Sequence, residues 1–344
     1  MLKKYLEKKK SYIKLEKSEN TINSPISFHK FQKNTSHRSI NSKGSNKLNF
    51  NISLILFKIS ALINAYLVLY IIGKNDNKTM KHAILLLSSY GINYMNNVLS
   101  QFNNDKRFDI FIHIDGKSKI DIENNKTITK SRIKYIKHLH KSKRFSITMV
   151  YVMLELINIA NKADKYDYFH YFSDSCYLIK TLDEFYQFFI KNNNKSFMNY
   201  FLTNHFLYKN QAFILYKGSQ WMSLHSNLVH KLLDNINLIH KYKKAIKNNI
   251  IKRLRGAFDE LIIQNIIIKD ICKRKAQECN IINNNLRFIR WRKCKEIYCP
   301  NYLDIDNVSE KEIKNIKKNN YLAIRKINYI NNKAIDLVNR LKGE

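Results

Sequence analysis

His82-Ala83-Ile84-Leu85-Leu86-Leu87-Ser88 and Asp109-Ile110-Phe111-Ile112-His113-Ile114-Asp115 decide the fold. Each is an apolar run of strand length that stops at polar residues, the pattern of a strand buried on both faces of a parallel sheet. The segment between them, Ile92 to Phe102, has the length of a helix. The alternation continues: Ile133 to Ile136 predicts a strand, Ile147 to Ile159 a helix with an apolar face, and Tyr166 to Phe172 another strand. Such a succession defines βαβ units and hence an α/β domain. Further on, residues 181–191 and 223–248 predict helices, Ala257 to Ile268 is apolar nearly all round and predicts a buried helix, and Leu286 to Ile289 predicts a late strand. Ile330, Ala334, Leu337, Val338 and Leu341 share one face of a closing amphipathic helix. With no internal repeat and no Gly-rich phosphate loop, a solenoid and a P-loop enzyme are both excluded.

The α/β pattern occupies residues 80–344. Ahead of it, residues 1–50 are rich in Lys, Ser and Asn and offer little to bury, so they predict a flexible basic tail. Residues 51–73 hold an apolar segment, Ile52 to Gly73, interrupted by Lys58 and Asn64. It is nearly long enough to cross a bilayer and is open to three readings: a membrane anchor, an interfacial helix on an anionic membrane surface, or a core helix. A cleaved signal peptide does not fit, because the apolar stretch starts too late.

Lys and Arg number 61 against 27 Asp and Glu, a net charge of +34 that attracts polyanions. The lysines are spread along the whole chain, and Gly (7) and Pro (2) are scarce beside Lys, Asn and Ile. A genome favouring A- and T-rich codons accounts for this bias better than a nucleic-acid surface does. Phosphate groups and an anionic membrane face still gain from the charge. The five cysteines, Cys176, Cys272, Cys279, Cys294 and Cys299, form no disulfide framework and lack the spacing of zinc ligands. A single bridge between the 272/279 and 294/299 clusters stays open, and a reducing compartment is the easier fit.

Ligands of open α/β sheets bind beyond the carboxyl ends of the strands, so the polar residues after each apolar run are the candidates for chemistry. They are His113-Ile114-Asp115, Ser173-Asp174-Ser175-Cys176-Tyr177, Lys217-Gly218-Ser219-Gln220-Trp221 and Asp259-Glu260, with a basic pair at Arg325-Lys326. Each has a plainer alternative: His113 as a satisfied core histidine, Trp221 as core, Asp259 and Glu260 as helix caps, Arg325-Lys326 as an exposed basic pair. Asp304-Ile305-Asp306 reads as a solvated loop rather than a metal site, and His138 and His140 have no third ligand at useful spacing.

Taken in order, these clusters resemble the core-2/I-branching β-1,6-N-acetylglucosaminyltransferase family, which includes peptide xylosyltransferases and many bacterial members. The likeness runs through His82 to Leu85, Arg107 to Lys117 (RFDIFIHIDGK), Tyr168 to Glu184 (YFHYFSDSCYLIKTLDE), Lys217 to Leu224 (KGSQWMSL), AFDELIIQ from Ala257, Leu286 to Trp291 (LRFIRW), Pro300 and Ala323 to Ile327 (AIRKI). What the resemblance implies is a GT-A-type, Rossmann-like glycosyltransferase fold with a mixed central sheet flanked by helices. It also implies an inverting, metal-independent transferase that uses a UDP-sugar, expected to be UDP-N-acetylglucosamine, on a glycan or glycolipid acceptor in surface polysaccharide or lipooligosaccharide synthesis.

By the same resemblance, Glu260 is the catalytic base and Arg325 and Lys326 neutralise the diphosphate in place of a metal ion. His113, Asp115, Ser173 and Asp174 join them at the donor, and Gln220 and Trp221 meet the acceptor, the indole against the C–H face of a sugar. The chain departs from the family pattern at Asp174 (usually Gly), Cys176 (usually Asp), Leu178 (usually Pro) and Gln220, an acid in xylosyltransferase-like members. Lys143-Arg144-Phe145 stands where a Trp-Gly step is common. The expected location is the cytoplasmic membrane face, with a single-pass Golgi enzyme as the alternative. The rival from another class is a non-catalytic, basic nucleic-acid- or membrane-binding protein on a degenerate transferase fold. Steep salt dependence of binding to any polyanion would mark it.

Overall fold

The computed structural model describes residues 57–64, 79–89, 92–102, 105–115, 132–137, 146–202, 206–208, 211–213, 215–245, 258–294, 297–300, 303–304, 306–327 and 332–343. The chain divides into two compact units, Met1–Asn75 and Asp76–Glu344. In the first, residues 57–64 are helical and exposed, while the basic tail and the rest of the 51–73 stretch lie outside the described residues. No described helix is long and apolar enough to cross a membrane.

The second unit opens with β1 (His82–Ser88), α1 (Ile92–Phe102), β2 (Phe108–Ile114), β3 (Ile133–Lys137), α2 (Ile147–Ala163) and β4 (Tyr168–Ser173). All seven residues of β1 and of β2 are buried, as their unbroken apolar runs require. There follow β5 (Cys176–Leu178), α3 (Leu182–Lys191), β6 (Ser196–Phe197), β7 (Phe201–Leu202), β8 (Phe206–Tyr208), β9 (Gln211–Phe213), β10 (Tyr216–Lys217) and β11 (Ser223–His225). Helix α3 starts where Thr181 and Glu184 close a reciprocal capping box. Next come α4 (Ser226–Asp234), α5 (Leu238–Ala245), a 3₁₀ turn (Phe258–Glu260), α6 (Ile262–Asn265), a π-turn (Ile266–Ile271) and a further 3₁₀ turn (Ala276–Cys279). The chain ends with β12 (Ile281–Ile282), β13 (Arg287–Phe288), β14 (Trp291–Cys294), β15 (Ile297–Pro300), α7 (Glu310–Lys318), β16 (Ala323–Arg325) and α8 (Asn332–Lys342).

Seven strands form the central sheet in the order β12-β6-β11-β4-β1-β2-β3. The block β4-β1-β2-β3 is parallel, and β11 runs antiparallel between β4 and β6, so the sheet is mixed. Side chains of β1 alternate between two cores: Ala83, Leu85 and Leu87 pack with α2, α4 and Ile262 to Ile268, while Ile84 and Leu86 pack with α1, α3, α7 and α8. Truncating fully buried Leu85 or Leu86 leaves a cavity costing about 2–5 kcal/mol. A second, three-stranded sheet in the order β13-β16-β5 sits at the carboxyl side of β4. A salt-bridged knot closes the opposite end: buried Asp109 accepts from Arg132 Nε at 3.0 Å and from the Tyr166 hydroxyl at 2.8 Å, and lies 3.1 Å from Lys81 Nζ.

Three expectations change. Residues 223–225 form a strand, not the start of a helix, because β11 docks antiparallel on β4 and His170 holds the Ser223 hydroxyl at 2.9 Å. The expected buried helix from Ala257, itself outside the described residues, becomes the 3₁₀, α and π turns of 258–271, since its polar groups are drawn toward β10. The cysteine reading is also corrected: Cys272 bonds Cys279 within one cluster. Left-handed Lys273 and Arg274 turn the chain back after the π-turn and bring the two Cα atoms to 5.8 Å.

Candidate active site

The carboxyl ends of β1, β2 and β4 lie side by side: Leu87 is in register with His113 on one side and Ser173 on the other. His113 is buried, and half-buried Asp115 sends its backbone N–H to Ser88 O at 2.9 Å. The buried Asp174 carboxylate accepts from Ser89 N at 2.5 Å and Ser88 Oγ at 3.3 Å, tying the loop after β4 to the end of β1. These four donor-side candidates thus share one edge of the sheet.

The three-stranded sheet brings cations to the same edge. Arg325 is paired with Cys176 across β16 and β5, and Arg287 on β13 lies on the other side of β16. Arg325 Nε reaches Ser173 Oγ at 3.4 Å, and its guanidinium covers the Trp221 ring at 4.2 Å. Lys326 is buried with left-handed backbone (φ 71°), held there by its N–H on Ser175 O and by Leu303 N on its own carbonyl, both at 2.9 Å. Such a conformation in a non-glycine residue costs on the order of 1 kcal/mol and marks a position fixed by its surroundings. None of this is an exposed basic pair.

Arg287 was not among the sequence candidates. It is 5% exposed, donates to Tyr171 O and Asn285 O at 2.7 Å each, stacks over Phe172 at 4.9 Å, and has no carboxylate within ion-pair distance among the described residues. Burial pushes its guanidinium down to about 10; the adjacent Cys176 opposes this and the charge on Arg325 adds to it. Its one signal in the sequence is an Arg between apolar residues in the late strand segment, which is weak.

Glu260 ends the 3₁₀ turn, and its carboxylate lies 3.2 Å from Lys217 Nζ on β10. The β10 segment grips the turn along its length: Gly218 N donates to Glu260 O at 2.9 Å, Gln264 Nε2 to Ser219 O at 3.0 Å, and Asn265 Nδ2 to Tyr216 O at 2.8 Å. Gly218 is required there, since a Cβ would stand 1.8 Å from Asn199 O. Buried Gln220 Oε1 has no hydrogen-bond partner among the described residues, so it offers an acceptor to a ligand hydroxyl or water. Trp221, expected at the acceptor, is 4% exposed with the Arg325 guanidinium over its ring, so it props the arginine. Trp221 and Glu260 therefore link one β10-to-β11 segment to both halves of the site. Asp306 of the late Asp pair is engaged by Lys333.

The buried cations and the Asp174 carboxylate thus gather beyond the carboxyl ends of the strands, where open α/β sheets bind their ligands. The chain belongs to the Core-2/I-Branching enzyme family, whose model matches residues 86–317, about two thirds of its length. It is therefore a glycosyltransferase, with a nucleotide-sugar donor and a glycan acceptor. No curated protein matches the chain significantly.

Proposed function

We propose that the chain moves a sugar, expected to be N-acetylglucosamine, from a UDP-sugar to a glycan or glycolipid acceptor by inverting, metal-independent displacement. The observation that carries this is the buried trio Arg287, Arg325 and Lys326 at the edge shared by Ser173 and Asp174. A diphosphate reaching this edge meets cations held in fixed positions that can take up its charge. As the bond from the anomeric carbon to the diphosphate breaks, the growing charge falls on groups already fixed in place. Glu260 takes the proton of the acceptor hydroxyl as its oxygen attacks from the opposite side. His113 and Asp115 meet the nucleoside, and Gln220 orients the acceptor.

The basic tail and the apolar 51–73 segment support work at a membrane face, and the family resemblance supports surface polysaccharide or lipooligosaccharide as the product. The Cys272–Cys279 bond supports the lumenal alternative over the cytoplasmic one. Calorimetric titration with UDP tests the donor half. Saturable binding that weakens at least about tenfold in Arg325→Met is expected. Binding that is unsaturable, indifferent to this substitution and steeply salt-dependent would instead mark the non-catalytic polyanion binder.

A further inference from the structure

With Arg325 over the Trp221 ring, the β7–β10 ribbon offers another surface to the acceptor ring. Phe201 pairs directly with Lys217. Directly opposed residues of an antiparallel pair project from the same face, so the Phe201 ring stands on the face from which Lys217 reaches Glu260. The ring is 57% exposed. Leu202 pairs with Tyr216 and projects from the other face.

Both strands of this short ribbon are pinned by asparagine side chains. Asn283 accepts from Tyr200 N at 2.9 Å and donates to Tyr200 O at 2.8 Å. Asn265 does the same for Tyr216, at 3.1 and 2.8 Å. Two residues of β-pairing alone would not hold a ribbon still, whereas four added bonds fix its backbone. A large aromatic ring kept exposed on a fixed backbone, cross-strand from the lysine that holds Glu260, is preorganised for binding rather than for packing.

We propose that Phe201 is the acceptor platform: its ring takes the C–H face of the acceptor sugar, setting a ring hydroxyl toward Glu260, while Lys217 positions the carboxylate. The assignment rests on the transferase reading of Glu260 and extends it to acceptor recognition. Saturation-transfer difference NMR of the full chain with methyl β-galactoside, methyl β-glucoside and methyl β-N-acetylglucosaminide reads it without any turnover.

Wild type is expected to bind at least one glycoside, with Phe201→Ala weakening it about tenfold, Phe201→Trp retaining it and Leu202→Ala unchanged. Equal affinity in Phe201→Ala, or no glycoside bound by wild type, overturns the platform. UDP titration of the same samples keeps the two failures apart. Intact UDP binding with no effect of Phe201→Ala sinks the platform alone, whereas loss of UDP binding in wild type sinks the transferase reading.

Discussion

Acidification should destabilise this fold well before its carboxylates titrate, because two histidines are buried neutral in the core. His82 Nδ1 lies 2.9 Å from His170 Nε2, and His170 Nδ1 lies 2.9 Å from Ser223 Oγ. Both rings are fully buried, stacked at 5.2 Å, with Tyr168, Phe185 and Phe189 around them. Burial holds His82 down to about 3, with the charge of Arg107 adding; burial also holds His170 well below its ordinary range, with repulsion from His82 adding. Both titrate near 6.5 once unfolded. The unfolded chain therefore binds protons that the folded one refuses, and stability, complete above pH 6.5, falls as pH drops toward the folded values. The slope is about 1.4 kcal/mol per pH unit for each histidine, so between about pH 6.5 and 5 His82 alone removes roughly 2 kcal/mol and the pair up to roughly 4. Against a total of about 5–15 kcal/mol this is readily measured. Urea midpoints followed by circular dichroism at constant ionic strength across that window give the slope, with the His82→Leu/His170→Leu double variant as reference. A flat profile in wild type, or an equal slope in the variant, would refute the buried-neutral pair.

Three further outcomes follow from the same packing. Asp109→Asn removes the buried carboxylate that Arg132 and Lys81 share, both about a quarter exposed and Lys81 still paired with Asp164, and should cost about 1–3 kcal/mol, read as a melting point lowered by several degrees. Gly218→Ala drives a methyl into Asn199 O and must displace either β10 or the Glu260 turn; transfer activity should collapse, with at least about 1–3 kcal/mol lost in urea unfolding. Trp221→Leu removes the ring under Arg325, and should weaken UDP binding by about three- to tenfold in calorimetry while leaving glycoside binding unchanged. The opposite pattern would return the indole to the acceptor.

The parallel half of the sheet was legible because β1 and β2 are buried on both faces and their sequences say so without interruption. Helix α1 was equally plain from its length between them. Strand β11 was not, since Ser223 to His225 becomes a strand only by pairing with β4, a contact distant in sequence. Glu260, Arg325 and Lys326 stood out through the family resemblance, and the geometry adds what holds them: Lys217, Ser173 and Ser175. Arg287 was missed because its neighbours reveal nothing of a burial created by the three-stranded sheet. Phe201 was missed because exposure of a single aromatic is a property of the fold, not of its local sequence. The Cys272–Cys279 bond depends on two left-handed residues that no spacing rule anticipates.

The most direct test of the mechanism is release of UDP from a panel of UDP-sugars by the full chain, with and without EDTA, in wild type and Glu260→Gln. Turnover of one donor that survives EDTA and falls by at least about a hundredfold in the variant is the predicted result. Turnover abolished by EDTA and restored by a divalent cation, or retained in Glu260→Gln, would contradict the metal-independent mechanism with Glu260 as its base.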